Sequence, residues 1–283
     1  MLKQGDKIAI VCCSNGQVKA YQEKLQRLHD ILQDIGFVPV WSDYIYAQNN
    51  VFSATAQKRA EALMQFYQDD EIKAIFDISG GDIANEILPY LDYEVIAKSE
   101  KLFWGYSDLT TILNAIYAKT GQASVLYQIR NVLYDNSVTQ IQHVKNTLIN
   151  NRNSLFDISY EFVQGEQMQG VVVGGNIRCF LKLAGTPYMP DVTGKILLLE
   201  AYSGDVAKMV TYLNQLKQMG VFEQISGILL GTYTEMEREG YTPNIVELVK
   251  LYVGEEMPIA CTKEIGHGTD SKALIIGKEM FLK

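Results

Sequence analysis

Short apolar runs alternate with amphipathic stretches along the first half of the chain. Runs of strand length occupy residues 7–12, 37–41, 74–78 and 102–105. Apolar residues recur with helical spacing over residues 19–35, 54–68, 83–88 and 109–119. This alternation predicts an α/β fold, with a mostly parallel sheet that carries helices on both faces.

The periodic pattern loosens between about Tyr134 and Gly170, where asparagines accumulate. We therefore predict an N-terminal domain over residues 1–152, a linker over 153–169 and a C-terminal domain over 170–283. The last part contains apolar runs at 195–199 and 228–230, with a helix predicted between them over 205–219. The pattern indicates a second, smaller α/β domain with a mixed sheet.

Composition narrows the class of protein. The 283 residues are 47% hydrophobic and 20% charged, as in a globular chain with a real core. The net charge of −8 argues against nucleic acid and anionic membranes as partners. Of the four cysteines, Cys12 and Cys13 are neighbours, and no group of residues has metal-ligand spacing. The first apolar run, of about six residues, is too short for a signal sequence. We expect a cytoplasmic protein without a metal or cofactor.

The first candidate for chemistry is Ser107, in the stretch Gly105-Tyr106-Ser107-Asp108-Leu109. A predicted strand runs through Gly-x-Ser directly into a predicted helix, which is the arrangement of a nucleophile elbow. Leu109 stands where such an elbow has its last glycine. The alternative is that Ser107 only caps the helix.

Gly80 and Gly81 form the second candidate, at the end of the preceding predicted strand. Paired glycines let backbone N–H groups approach a ligand closely, as an oxyanion hole or anion nest requires. A plain tight turn is the alternative. The spacing matches neither a dinucleotide-binding nor a phosphate-binding loop.

Histidine is scarce, with three in the chain. His29 and His143 lie in amphipathic, helix-like stretches, whereas His267 stands between two glycines in a predicted loop. We therefore select His267 as the candidate base. A carboxylate, either Asp270 or one distant in sequence, would be needed to orient its ring.

Glu200 is an acidic residue at the carboxyl end of a fully apolar predicted strand. In α/β proteins, catalytic and ligand-binding residues lie at the carboxyl ends of the strands. The alternatives are a strand end that faces solvent and a charge that favours the N-terminus of the following helix.

The order Ser107, Glu200, His267, together with the glycine-rich stretches, resembles the LD-carboxypeptidase family of serine peptidases. This family includes muramoyltetrapeptide carboxypeptidase and the microcin C self-immunity peptidases. The resemblance spans nearly the whole chain, and the matching stretches are 80–81, 88–92, 105–110, 174–176, 185–191, 194–200 and 266–267.

The resemblance implies a two-domain enzyme with its active site between the domains. Ser107 would be the nucleophile, His267 the general base and Glu200 the carboxylate that orients the imidazole. The backbone N–H groups of Gly81 and Asp108 would form the oxyanion hole. The resemblance also implies a homodimer.

Two stretches depart from the family pattern. Ser79 and Asp82 flank the glycines where the carboxypeptidases often have an R-G-G-Y-G-type loop, and residues 124–130 lack the Gly-Pro of many members. Both departures concern the walls of the pocket and leave the triad residues in place.

The expected reaction is hydrolysis of an amide near a free carboxylate, releasing a terminal D-amino acid from a murein tetrapeptide. One alternative is microcin-type cleavage of an aminoacyl-nucleotide-like conjugate. Another is a non-catalytic protein that binds peptides or anions on the same fold. An acidic protein needs a local cation to bind an anionic peptide, and Arg178, Lys263 and Lys272 are candidates.

Overall fold

The computed structural model describes residues 2–283, which contain twelve β-strands and nine α-helices. The strands are β1 (Lys7–Val11), β2 (Val38–Trp41), β3 (Ile72–Asp77), β4 (Phe103–Gly105), β5 (Ser124–Leu126), β6 (Glu161–Gln164), β7 (Met168–Asn176), β8 (Ile196–Ala201), β9 (Gly227–Tyr233), β10 (Ile259–Cys261), β11 (Leu274–Ile276) and β12 (Glu279–Leu282). The helices are α1 (Gln22–Ile35), α2 (Ala56–Gln68), α3 (Tyr93–Lys98), α4 (Thr110–Thr120), α5 (Ser137–Leu148), α6 (Ile177–Leu181), α7 (Val206–Gln218), α8 (Thr234–Glu239) and α9 (Ile245–Tyr252).

The first sheet has the strand order β11-β5-β4-β3-β1-β2. Its strands are parallel except β11, which runs antiparallel to β5. Side chains of β1 alternate between the two faces, as a strand requires. Ile8 and Ile10 lie in one apolar cluster with residues of α1 and α5, and Ala9 and Val11 lie in another with residues of α2 and α4. The predicted helix-covered parallel sheet is confirmed.

The second sheet has the order β12-β7-β8-β9-β10-β6. The four central strands are parallel, and the edge strands β12 and β6 are antiparallel to their neighbours. Helices α7 and α9 contribute to the apolar cluster of this half through residues such as Leu213 and Leu248. The mixed sheet agrees with the expected fold class.

Helix α4 joins the two halves. Its residues Leu113 and Ile116 share one buried cluster with Val172 and Leu198 of the second sheet. The buried side chain of Asn114 donates to Gly174 O and accepts from Gly174 N, both at 2.8 Å. Because buried hydrogen bonds must be satisfied, this pair of contacts favours one position of α4 relative to the second sheet.

Three features differ from the predicted elements. The segment 153–169, predicted as a linker, contains β6, which pairs with β10, and the first residues of β7. The helix predicted over 83–88 is a 3₁₀ helix, and it spans Ala84–Tyr90, so that it includes Pro89 instead of ending before it. Strand β11 returns from the C-terminal half to the first sheet. Its three residues give too short a pattern to predict that pairing.

Within residues 2–283, every helix is too short or too polar to cross a membrane. The homodimer and the cytoplasmic location stay predictions.

Candidate active site

Ser107 lies at a sharp turn between β4 and α4. Strand β4 ends at Gly105, and Ser107 opens a 3₁₀ turn that leads into the helix. Its φ of 53° is left-handed, a conformation that costs energy for a residue with a side chain. A Cβ at Gly105 would lie 2.7 Å from Leu109 Cβ, so the close turn needs glycine there. This is the strained strand-to-helix geometry that the sequence predicts for a nucleophile elbow.

His267 and Glu200 are hydrogen-bonded, with Nδ1 of the histidine 2.7 Å from Oε2 of the glutamate. Glu200 is 1% exposed at the end of β8. An ionised carboxylate only accepts, so Nδ1 carries the proton and Nε2 presents its lone pair. Nε2 is buried and has no hydrogen-bond partner among residues 2–283. This tautomer suits a general base.

The loop that carries His267 is held against β9. Thr232 N donates to Ile265 O at 2.8 Å. A Cβ at Gly266, where φ is 147°, would overlap the Thr232 side chain. The centroid of the imidazole ring lies 5.4 Å from that of Tyr106 and 5.1 Å from that of Tyr202. Packing against two aromatic rings restricts the orientation of the imidazole.

The Gly80-Gly81 turn is fastened to the loop after β1. Asn15 N donates to Gly80 O, and Asp82 N donates to Asn15 Oδ1, both at 3.1 Å. Gly81 has a φ of 122°, and a Cβ there would overlap the Asn15 side chain. Only glycine fits this position without a shift of the neighbouring loop.

Arg178 of α6, in the C-terminal half, contacts the Gly80-Gly81 turn. It donates to Gly81 O at 3.2 Å and forms an ion pair with Asp82. The hydrogen bond from Arg178 lowers the pKa of the Asp82 carboxyl. Arg178 was a candidate for binding an anionic substrate, and in the structure its charge is paired with this carboxylate.

The Asp108 side chain is fully buried and joins three parts of the chain. Its carboxylate accepts from Ser14 Oγ at 2.6 Å, Ala84 N at 2.8 Å and Lys182 Nζ at 2.5 Å. The sequence indicated only the backbone N–H of this residue. The side chain fixes the turn that carries Ser107, because residue 108 follows it directly.

A cavity of about 480 Å³ opens at this end of the sheets. Ser107, His267 and Gly81 all line it. Ser107 also shares a second cavity, of about 10 Å³, with Glu200. The structure therefore brings the predicted nucleophile, base, carboxylate and glycine turn to one place. The other lining residues of the larger cavity are Asn15, Gly16, Gln17, Val18, Tyr21, Gly80, Tyr106, Gln128, Arg130, Asn131, Tyr134, Tyr202 and Thr269.

The remaining sequence candidates lie elsewhere. His29 accepts a hydrogen bond from Trp41 Nε1 at 2.9 Å, and His143 lies on α5, where burial lowers its pKa. Asp270 is exposed, and the carboxylate on His267 is the distant Glu200. Across residues 2–283, no cluster of His, Cys, Asp and Glu could hold a metal ion.

Sequence reasoning missed the cation of the cavity. Neither Lys263 nor Lys272 lines the larger cavity. Lys272 lines the smaller one, and its charge is paired with Glu264 at 3.0 Å. The basic side chain that lines the larger cavity is Arg130. The available signal was that the stretch 124–130, which contains Arg130, departs from the family pattern at a pocket wall.

Comparison with known sequences supports a family assignment. The family model described as the LD-carboxypeptidase N-terminal domain matches residues 8–127, and that of the LD-carboxypeptidase C-terminal domain matches residues 169–282. A putative carboxypeptidase of Treponema pallidum is 26% identical over 98% of this chain and 89% of its own length. The probable murein peptide carboxypeptidase of Bacillus subtilis is 26% identical over 98% and 88%. The microcin C7 self-immunity protein of Escherichia coli is 24% identical over 99% and 91%.

Solved structures share the fold. The microcin C7 self-immunity protein without ligand superposes with a TM-score of 0.88 at 22% identity, over 99% of this chain and 93% of that one. The muramoyltetrapeptide carboxypeptidase of Oxalobacter formigenes superposes with a TM-score of 0.78 at 24% identity, over 97% and 94%. The two family models together match more than half of the sequence. The chain belongs to the LD-carboxypeptidase family.

Proposed function

We propose that this protein is a serine carboxypeptidase that releases a terminal D-amino acid from a murein tetrapeptide. The observation that carries the proposal is the Glu200–His267 hydrogen bond, which leaves Nε2 unpaired at the cavity that Ser107 lines. The name of the Bacillus subtilis relative, a probable murein peptide carboxypeptidase, supports the substrate class.

In the proposed first half-reaction, His267 Nε2 takes the proton of Ser107 Oγ, which attacks the carbonyl carbon of the scissile amide. A hydroxyl is a weak nucleophile until a base removes its proton. Glu200 stabilises the imidazolium that forms, because its carboxylate accepts from Nδ1. The N–H groups of Gly81 and Asp108 are the proposed donors to the tetrahedral oxyanion.

The intermediate then collapses and the C–N bond breaks. The imidazolium of His267 gives its proton to the leaving amine, which departs as the free amino acid. Water, deprotonated by the same Nε2, attacks the acyl ester on Ser107. A second collapse returns the proton to Ser107 Oγ and frees the shortened peptide.

The test is turnover of a murein tetrapeptide by wild type and Ser107→Ala, read by mass spectrometry. We expect release of the terminal amino acid by wild type and a loss of at least about 1,000-fold in Ser107→Ala. A fluorophosphonate probe should label wild type and not the variant. Ser159→Ala, which removes an exposed hydroxyl outside the cavity, is the matched control. Unchanged turnover in Ser107→Ala would refute the mechanism.

A second candidate substrate is a peptide conjugate that carries an aminoacyl-nucleotide-like group. The observation in its favour is that Tyr21, Tyr134 and Tyr202 line the cavity, because bases stack on aromatic side chains. Lys24 Nζ lies 5.3 Å and 5.6 Å from the centroids of Tyr21 and Tyr134, and these contacts support both rings. An aminoacyl-sulfamoyl adenosine belongs in the same panel, where faster cleavage of it than of the tetrapeptide would favour this candidate.

A further inference from the structure

Arg130 presents a guanidinium to the cavity that Ser107 and His267 line. It lies in a 3₁₀ helix (Ile129–Leu133), and Gln128 accepts from its backbone N–H at 3.1 Å. Nη1 donates to Gln17 Oε1 at 3.0 Å, and Nη2 donates to Tyr106 Oη at 3.1 Å. The head group is therefore held in one place by neutral oxygens.

The charge of Arg130 has no counter-charge. Among residues 2–283, no carboxylate oxygen lies within 4.0 Å of its nitrogens. The cavity lining contains no aspartate or glutamate. A guanidinium has five N–H donors, and the two hydrogen bonds to Gln17 and Tyr106 leave further Nη protons for a ligand.

Two other arginines near the site, unlike Arg130, have carboxylate partners. Arg59, whose side chain is fully buried, pairs with Glu86 at 2.6 Å and also donates to the backbone. Arg178 pairs with Asp82. Holding a cation partly out of water is unfavourable unless an anion meets it. Of these three arginines, Arg130 is the one without a carboxylate partner, which leaves its charge for an anionic ligand.

The position of the guanidinium relates it to the proposed chemistry. Tyr106, which accepts from Arg130, directly precedes Ser107 in the chain. Its hydroxyl lies 3.6 Å from the place a Cβ of Gly80 would occupy, so it also touches the glycine turn. Arg130, Tyr106 and Ser107 also line one cavity, so an anion on Arg130 would share that cavity with the bond that Ser107 is proposed to attack.

We propose that Arg130 binds the free carboxylate next to the scissile amide and selects substrates that carry one. The planar guanidinium fork matches a carboxylate, and such charge-assisted hydrogen bonds are stronger than neutral ones. This inference rests on the proposed function and adds the group that recognises the substrate terminus. Because the overall charge is −8, a local cation favours binding of an anionic peptide.

The test compares a murein tetrapeptide with a free terminal carboxylate and the same peptide as its terminal carboxamide. For wild type we expect a higher kcat/KM with the carboxylate. In Arg130→Gln this preference, which is the ratio of the two kcat/KM values, should fall by about 10- to 100-fold. Arg130→Lys keeps the positive charge without the planar guanidinium, and it should recover part of the preference for the carboxylate peptide. Arg152→Gln, which removes an exposed arginine and gives the same net charge, should behave as wild type.

A binding measurement separates this inference from the proposed function. Ser107→Ala should bind the carboxylate peptide more tightly than the carboxamide by calorimetry, and Ser107→Ala/Arg130→Gln should not distinguish them. This readout needs no turnover, so wild type that cleaves neither peptide would refute the proposed function alone. Equal losses on both peptides in Arg130→Gln, or a preference that survives in the double variant, would overturn the role of Arg130. Fluorophosphonate labelling of Arg130→Gln at the wild-type rate shows that Ser107 and His267 remain in place.

Discussion

Lys182 Nζ lies 2.5 Å from Asp108 Oδ1, and the two residues come from different halves of the chain. Asp108 is fully buried beside Ser107, and the lysine side chain is 19% exposed. Lys182 also donates to Asp82 O at 2.9 Å, next to the Gly80-Gly81 turn. One ammonium group therefore holds both segments that are proposed to supply oxyanion donors.

Lys182→Met should destabilise the protein, because it leaves the buried Asp108 carboxylate without its cation. Breaking a buried ion pair costs about 3 kcal/mol of unfolding free energy. Urea denaturation measures the loss, and turnover should fall with it as the Ser107 turn loosens. Lys7→Met, which breaks an exposed pair with Glu71, is the control and should change stability little.

The double variant Lys182→Met/Asp108→Asn tests the cause. Removing both charges should recover part of the lost stability. A double variant that is less stable by the full sum of both single losses would contradict an ion-pair explanation.

Glu200→Gln should abolish most activity while the fold stays intact. An amide can donate to His267 Nδ1 and so favours the tautomer with its proton on Nε2, which cannot act as a base. A loss of about 1,000- to 10,000-fold in kcat is expected. Circular dichroism and thermal unfolding should confirm folding, and Glu61→Gln, on the exposed side of α2, serves as the control. A decrease below about tenfold would remove Glu200 from the mechanism.

Gly81→Ala should impair both stability and turnover. The added Cβ would overlap the Asn15 side chain at a φ of 122°, so the turn must shift. The strain costs about 1–3 kcal/mol. Alanine keeps the backbone N–H, but the shift moves it away from the oxyanion, and losing one such hydrogen bond lowers kcat by about 100-fold or more. Gly254→Ala, at an exposed position with no atom within 4 Å of the new Cβ, should do neither. Wild-type kcat in Gly81→Ala would argue against a Gly81 N–H donor.

Arg178→Gln should change how stability depends on pH. The hydrogen bond from Arg178 lowers the pKa of Asp82, so this contact stabilises the folded state above the unfolded pKa of about 4. Its contribution is lost as the pH falls through the lowered pKa. Urea unfolding of both proteins should therefore show a difference near pH 7 that shrinks in acid. Arg238→Gln, an exposed arginine outside the site, should give no such convergence.

The sequence predicted those parts of the molecule that local patterns determine. Hydrophobic periodicity and glycines predicted the strands before Gly81 and Ser107, and an apolar run predicted the strand that carries Glu200 near its end. The Glu200–His267 pairing followed from the family resemblance. No local pattern encodes a contact between residues that lie 67 positions apart.

Contacts that depend on the assembled fold were not predictable. The Asp108–Lys182 pair joins residues 74 positions apart. The sequence around each of them shows only a charged residue near a helix, with no sign of the partner. Arg130 gave no periodic signal either, because its neighbours Gln17 and Tyr106 come from two other segments. Propensity describes single elements, whereas these side chains are placed by the packing of several.

The last strands of the chain connect both sheets. Strand β11 completes the edge of the first sheet beside β5, and after a short turn β12 forms an edge of the second sheet beside β7. A fragment that ends near residue 152 would leave the hydrogen-bonding groups of β5 uncovered, and such bare edges promote aggregation. The two halves are thus not exchangeable modules. Recombination between relatives at the 153–169 segment would have to carry residues 274–276 together with the N-terminal part that they complete.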